Sequence, residues 1–357
     1  MRIGLRLQLP AIFDAGKAGE VLETLRSWGE VEAVVTGTMA RTALLDAGME
    51  GMVRFFGGGW EAWIREASLR CDLVVNASHA SDPLKMQADC WHLVRRMERR
   101  VPFLGVDTRG GTVVPWTEGA KEFALLLAGE RGFRVEDPIS FERVLWEEDG
   151  KRYRRVLGVR EGDHVLVEGR VVGRAKGEVL LVEDEGGVEV LGVEGRKRAL
   201  RKLAGRRVEE VRVVTLSRLR EGIPRRRRLE APRGEGVVFL DHAGYGIYDH
   251  LERGIRGAVT VGDDTTCVVG DILSRYSLPV VGLVDGDGDG LLEGAEFSPG
   301  SVLLRVGEDD SFGERVFREV FRGETYLRAG MEEVGRRVRE LAEEAGVLRG
   351  ILWEGRK

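Results

Sequence analysis

Apolar positions in the first 135 residues come in short runs, separated by stretches in which they recur every three to four positions. That alternation predicts an α/β layer with a largely parallel sheet. Strands are expected at Ile3–Leu9, Val31–Val35, Asp72–Asn76 and Val101–Val106, with helices at Gly16–Trp28, Ala40–Ala47, Trp60–Ser68, Pro83–Arg100 and Gly119–Ala128. A charged connector, Glu147-Glu-Asp-Gly-Lys-Arg152, comes next.

From Val156 to about Arg220 the period changes to β-rich runs at Val165–Val172, Glu178–Glu183, Val188–Val193 and Val208–Thr215, with Asp184-Glu-Gly-Gly187 as a hairpin connection. A basic, helix-prone piece, Arg196–Leu203, lies between the third and fourth runs. Several short strands around one helix predict a small barrel of the oligonucleotide-binding (OB) type. The α/β alternation then resumes, with strands at Val237–Asp241, Ala258–Gly262, Val280–Asp285 and Val302–Val306 and helices at Gly246–Arg256, Thr265–Tyr276, Arg315–Phe321 and Met331–Ala345. Their β-branched runs read as parallel strands buried on both faces.

The expected fold is therefore α/β, two Rossmann-like parallel-sheet domains flanking a small OB-like β-barrel. In residue ranges this gives a Rossmann-like domain at 1–135, a connector at 136–155, a barrel at 156–222, a basic linker at 223–235 and a final α/β domain with C-terminal helices at 236–357. A length of 357 residues agrees with two or three such domains.

Composition adds setting rather than chemistry. A single Asn (Asn76) and two Gln (Gln8, Gln87) suggest depletion of thermolabile amides, as in a hyperthermophile, although a GC-rich genome explains the excess of Arg over Lys equally well. Cys71, Cys90 and Cys267 show no zinc-knuckle or CxxC spacing and read as small buried side chains. No run approaches the roughly 18 apolar residues of a membrane span, and the start lacks a signal-peptide pattern. A soluble, cytoplasmic protein with no membrane partner is expected.

The 55 basic and 60 acidic residues nearly cancel, but not locally. Arg196–Arg228 holds 14 Lys+Arg and three acids, and the stretch Gly236–Asp310 after it is strongly acidic. The basic segment could bind a nucleic-acid backbone. It could equally neutralise the acidic stretch, since residues 156–222 contain no Phe, Tyr or Trp on which bases could stack.

The strongest chemical signal is Asp285-Gly-Asp-Gly-Asp-Gly290, directly after an apolar strand. Carboxylates at alternate positions, with glycines letting the chain curl, can aim several oxygens at one hard cation, Mg2+ or alternatively Ca2+ or Mn2+. Asp285–Glu296 also fits the EF-hand spacing, but an EF-hand loop follows a helix and this one follows a strand. Two other strands end in Asp241 and in Gly262-Asp-Asp-Thr-Thr266. Ligands of open parallel sheets bind beyond the carboxyl ends of the strands. That rule gathers Asp241, Asp263, Asp264, Asp285, Asp287 and Asp289 as candidate metal ligands, with Asp263, Asp285 and Asp287 as the catalytic set. Thr265 or Thr266 would cap the following helix, whose first-turn amides, with Gly262, would face a phosphate. A weaker second crevice could be lined by Thr36-Gly-Thr38, Asn76-Ala-Ser-His79 and Asp107-Thr-Arg109, with His79 the acid-base candidate by type.

The strand-helix-strand unit ending in Val284-Asp-Gly-Asp287 resembles the TOPRIM domain of primases, topoisomerases and related nucleases. That resemblance implies a magnesium-binding Asp-x-Asp at Asp285 and Asp287 for phosphodiester chemistry. The glutamate expected after the first strand has only Asp241 or Asp263 as its counterpart. Nearly the whole chain also resembles an uncharacterised archaeal family found mainly in methanogens, on Val261-Gly-Asp-Asp-Thr-Thr266, Gly282-Leu-Val-Asp-Gly-Asp287, Val34-Val-Thr-Gly-Thr-Met39 and Val113-Val-Pro-Trp116. The second resemblance implies organism class and architecture.

Three functions fit these residues. The leading one is Mg2+-dependent phosphoryl or phosphodiester chemistry on a nucleotide or nucleic acid. The second is a non-catalytic regulatory protein that binds a metal or an anionic metabolite. The third is small-molecule chemistry in a cleft between the two α/β domains.

Overall fold

In the computed structural model the described residues are 1–140, 144–168, 170–194, 203–216, 220, 226–286, 292 and 295–355. The chain divides into two compact units, Met1–Arg225 and Arg226–Lys357. No helix among the described residues is long and apolar enough to cross a membrane.

The first unit opens with a sheet of β1 (Arg2–Gln8), β2 (Glu30–Val35), β3 (Arg54–Phe55), β4 (Leu73–Ser78), β5 (Phe103–Asp107), β6 (Thr112–Pro115) and β7 (Arg134–Val135). Their order is β3-β2-β1-β4-β5-β6-β7, and every pair is parallel except β5–β6. The helices between them are α1 (Ala11–Asp14), α2 (Lys17–Trp28), α3 (Thr38–Asp46), α4 (Gly59–Arg70), α5 (Pro83–Val94) and α6 (Ala120–Arg131). Alternate strand residues serve opposite faces. Ile3, Leu5, Leu7, Val75 and Leu104 pack in one core with α2 and α6, and Val34, Val74 and Phe103 pack in another with Trp63 of α4 and Met86 and Trp91 of α5. All three cysteines of the chain are buried thiols outside any disulfide, and burial pushes the Cys71 thiol up to about 11. Helix α5 stops six residues short of the expected Arg100. The Glu98 amide is bonded to the Ser68 hydroxyl, and Arg99 donates to the carbonyls of Ser68 and Cys71 at the end of α4, which draws the chain out of the helix.

The second sheet of this unit is antiparallel: β8 (Leu145–Glu148), β9 (Lys151–Arg155), β10 (His164–Val167), β11 (Arg170–Asp184), β12 (Gly187–Glu194) and β13 (Val213–Leu216). It runs β13-β10-β11-β9-β8, with β12 also on β11. Strand β11 shifts register between Ala175 and Leu180 and pairs with β10, β9 and β12, so the sheet curls into a half-barrel over Val165, Val179, Leu181 and Val188. Two expectations change here. The charged connector is the β8–β9 hairpin, turned by Asp149 and Gly150 at φ 49° and 72°, a pair suited to a two-residue turn. The run Val165–Val172 is broken at Glu168, whose φ of 51° ends β10.

The second unit holds β14 (Val237–Asp241), β15 (Gly257–Val261), β16 (Val280–Val284) and β17 (Val302–Val306), side by side and parallel. Two antiparallel strands that the periodicity did not predict close its edges, β18 (Tyr326–Leu327) on β14 and β19 (Leu348–Glu354) on β17. The connecting helices are α7 (Ile247–Arg253), α8 (Asp263–Ser274), α9 (Asp309–Glu319) and α10 (Met331–Glu344). Val259, Val261, Val281, Leu283 and Leu304 meet Phe312 and Val316 of α9 and Val334 and Val338 of α10 in one core.

Two arginines of the basic segment are consumed by structure. In the first unit Arg220 is buried against Asp14 and Asp46, with Nη1 2.6 Å from Asp46 Oδ2. In the second, Arg226 donates to Asp271 Oδ1 at 2.8 Å and pairs with Glu296 at 2.8 Å. The other Asp271 oxygen accepts from the fully buried Arg275 at 2.9 Å. Arg206, Arg207 and Arg212 are exposed, while 196–202, 217–219 and 221–225 lie outside the described residues. Removing one partner of a buried ion network costs far more than a surface pair is worth, because a charge is left in low dielectric. Asp271→Ala should therefore lower the unfolding free energy of the second unit by about 3–5 kcal/mol, read from its transition in urea. Arg315→Ala, which breaks the exposed pair with Glu319, should leave that transition essentially unmoved.

Candidate metal centre

The four parallel strands of the second unit deliver their carboxyl ends to one rim, and an acidic residue follows each of them. Asp241 ends β14, Asp263 and Asp264 open α8 after β15, Asp285 follows β16, and Asp309 and Asp310 open α9 after β17. Carboxylate oxygens of Asp263, Asp285 and Asp309 all lie within 4.8 Å of one another. Asp263 and Asp309 are only 8% and 6% exposed. The Asp285 amide donates to Asp263 Oδ1 at 3.3 Å, tying the ends of two strands together.

Like charges this close oppose one another. At an effective dielectric near 20, unit charges 4.8 Å apart repel by roughly 3.5 kcal/mol per pair. The N-termini of α8 and α9 offset about 1 kcal/mol each, and at most about 2. The helix ends therefore do not offset the repulsion among the three carboxylates.

The remaining acids are arranged otherwise. Asp264 turns back on its own helix, accepting from the Thr265 amide at 2.7 Å. Asp241 is exposed and binds His242 Nδ1, while Asp310 Oδ1 stands 3.5 Å from His242 Nε2. The hydrogen bond from Asp241 raises the His242 pKa above its ordinary value; burial opposes this, and the charges of Asp241, Asp264 and Asp310 reinforce it. Asp287 and Asp289 lie outside the described residues.

The helix start differs from the expected one. Helix α8 begins at Asp263, so Thr265 and Thr266 sit inside its first turn rather than at its cap. The Thr266 hydroxyl is buried against that of Thr260 at 2.8 Å, pointing into the sheet. Gly262 holds the cap position at φ 96°, with no side-chain cap. A Cβ there would stand 3.1 Å from Asp264 Oδ1 and 3.2 Å from His242 Nε2, so the turn requires glycine.

Two residues that the sequence reading missed belong to this rim. Asp309 completes the triad; the signal was the same acid-after-strand pattern, repeated at the fourth strand. Arg305, on β17, lays its guanidinium over Gly286, whose Cβ would lie 3.1 Å from Nε. Among the described residues no carboxylate pairs with it. Tyr245, between Gly244 and Gly246 in the turn before α7, is 75% exposed, and Gly244 packs against Thr265.

In the first unit the expected polar crevice is partly structural. Asp107 accepts from the amides of Ala80, Arg109 and Gly110 and so shapes its turn. His79 Nδ1 meets the Thr108 hydroxyl at 3.0 Å. Thr36 and Asn76 instead surround Arg6, a residue that the sequence reading passed over.

With its folded pKa raised, protonated His242 stabilises the metal-free chain fully below about 6.5, the unperturbed value, and that contribution is lost as pH rises through the raised value. Asp241→Asn should move the His242 Cε1-proton titration to lower pH in the NMR spectrum. The stability gap between wild type and variant should be widest at low pH and close above the wild-type midpoint.

The family model described as "Uncharacterized protein conserved in archaea (DUF2117)" matches residues 8–324. The uncharacterized protein MJ0065 of Methanocaldococcus jannaschii is 29% identical over 327 residues, covering 88% of this chain and 90% of that protein. No solved structure matches.

Proposed function

The chain belongs to that archaeal family, and from this premise we propose that it is a cytoplasmic protein whose second unit binds Mg2+ through Asp263, Asp285 and Asp309 to act on a phosphoryl group of a nucleotide or nucleic acid. The observation that carries the reading is the convergence of three carboxylates from three neighbouring strand ends, two of them more than nine-tenths buried. An all-carboxylate donor set suits a hard cation such as Mg2+, with Mn2+ or Ca2+ as substitutes. When bound, such an ion polarises a phosphoryl oxygen and lowers the pKa of a water.

The chain's own residues support the rest. Arg305, beside Gly286, would take non-bridging phosphoryl oxygens, as a planar guanidinium does well. The positive N-terminal end of α8 favours the same charge. His242, whose pKa the hydrogen bond to Asp241 raises, would give a proton to a leaving oxygen. Tyr245 offers a face for a nucleobase. The TOPRIM reading stays within this proposal as a divergent form, sharing Asp285 and replacing the glutamate after the first strand with carboxylates from the two strands that flank Asp285. Likewise we read the first sheet as Rossmann-like, because its strand order reverses beside β1, and the curled sheet as OB-like.

Isothermal titration of the full chain with Mn2+ or Mg2+ should give one tight site, weakened about a hundredfold or more by Asp285→Asn and equally by Asp309→Asn, at unchanged far-UV circular dichroism. Mg2+-dependent phosphate release from nucleotides should vanish in the same variants and fall in Arg305→Gln, which keeps metal affinity. Metal binding with a higher Tm and no turnover of any phosphate compound would favour the regulatory reading. Wild-type affinity in Asp309→Asn would falsify the site.

A further inference from the structure

The first unit's sheet reverses order at β1: β2 and β3 lie to one side, and β4 to β7 lie to the other. The carboxyl ends of β1 and β4 therefore flank the crevice where open α/β sheets hold ligands. On the face of β1 that carries Ile3, Leu5 and Leu7 the side chains join the core. On the opposite face β1 presents Gly4, Arg6 and Gln8, and Arg6 and Gln8 are only 6% and 7% exposed. Burying a guanidinium and an amide there is expensive unless their hydrogens are used.

The network around Arg6 uses only part of them. Nε donates to Thr36 Oγ1 at 3.1 Å, and Nη1 donates to Asn76 Oδ1 at 2.7 Å and to Asp89 Oδ2 at 2.8 Å. A guanidinium only donates, so Asn76 must turn its oxygen toward Arg6. Its amide nitrogen then donates to Gln8 Oε1 at 3.2 Å, which turns the Gln8 amide nitrogen away from Asn76. Among the described residues Arg6 Nη2 and Gln8 Nε2 have no acceptor, and neither atom is sealed from solvent. A purely structural pair would close the arginine fork on both oxygens of Asp89. Here Asp89, a third exposed, takes Nη1 alone.

Donors from a guanidinium and a carboxamide on one face of β1 suit an oxyanion.

We infer that the crevice between β1 and β4 binds the phosphoryl group of a small ligand, held by Arg6 Nη2 and Gln8 Nε2. This site stands independently of the acidic rim of the second unit and needs no metal.

The test is isothermal titration of the metal-free, full-length chain with inorganic phosphate, pyrophosphate and, as a carboxylate probe, malonate. Phosphate or pyrophosphate should bind one to one, with malonate at least about tenfold weaker. Gln8→Leu, which leaves the Arg6–Asp89 pair in place, should weaken phosphate binding about tenfold or more, the scale of one hydrogen bond to a charged group. Asp285→Asn should leave it unchanged. Arg6→Met should abolish it; if that variant fails to fold, Gln8→Leu with wild-type circular dichroism decides. No binding by wild type, or wild-type affinity in Gln8→Leu, overturns the site. Tighter binding of malonate overturns the phosphoryl assignment, and loss of phosphate binding in Asp285→Asn shows that the anion sits in the other unit.

Discussion

A parallel strand buried between two layers of helices has few places for a polar side chain except its ends. That constraint shapes both α/β sheets. In the second unit the interiors of β14, β15 and β16 are Val, Leu, Ala, Phe, Thr and Gly, and their first charged residues appear where each strand leaves the layer, at Asp241, Asp263 and Asp285, whereas β17 carries Arg305 and reaches Asp309 only after a short loop. Helices α8 and α9 begin at that rim and cover opposite faces of the sheet, so two positive helix ends meet the carboxylates. The rim is thus a product of the fold rather than an addition to it. Moving any one strand by a residue would turn its alternate side chains to the wrong face and carry its aspartate away from the others.

Charge along the chain follows a related logic. The basic segment looks suited to a polyanion, but Arg220 and Arg226 spend their guanidinium groups on buried carboxylates, each within its own unit. The Arg226–Asp271–Arg275 network fixes the start of the second unit against the end of α8, the helix whose other end carries Asp263. Its role is positional, because it anchors the element that presents a rim carboxylate.

How far the sequence disclosed all this depended on the kind of signal. Strand interiors were legible because both-face burial writes continuous apolar runs, and three of the four rim acids stand out as the first charged residues beyond such runs. Asp309 was not found, because two residues, Gly307 and Glu308, separate it from β17 and a first-turn acid reads equally well as a helix start. The β8–β9 hairpin hid in a charged stretch whose Asp-Gly pair was the telling feature and whose strands are too polar to announce themselves. Strand β19 was masked by its position after an amphipathic helix, although Leu348, Ile351 and Trp353 carry its apolar contacts. Arg6 escaped for the opposite reason: a lone cation inside an apolar run has no periodicity, and only the three-dimensional partners Thr36, Asn76 and Asp89 reveal its purpose.

The two crevices solve the same geometric problem with opposite electrostatics. At the acidic rim, acceptors converge and helix ends do not offset their repulsion, which is why the ligand proposed there is a cation. At the β1–β4 crevice, Arg6 and Gln8 present donors on one face of β1 and, among the described residues, Asp89 is the one carboxylate bonded to Arg6, which is why the ligand inferred there is an anion. Because each site is built within its own unit, the two affinities are separable, and their independence is itself a physical consequence of local burial: the partners that set each charge balance are supplied by neighbouring strands and helices of the same sheet.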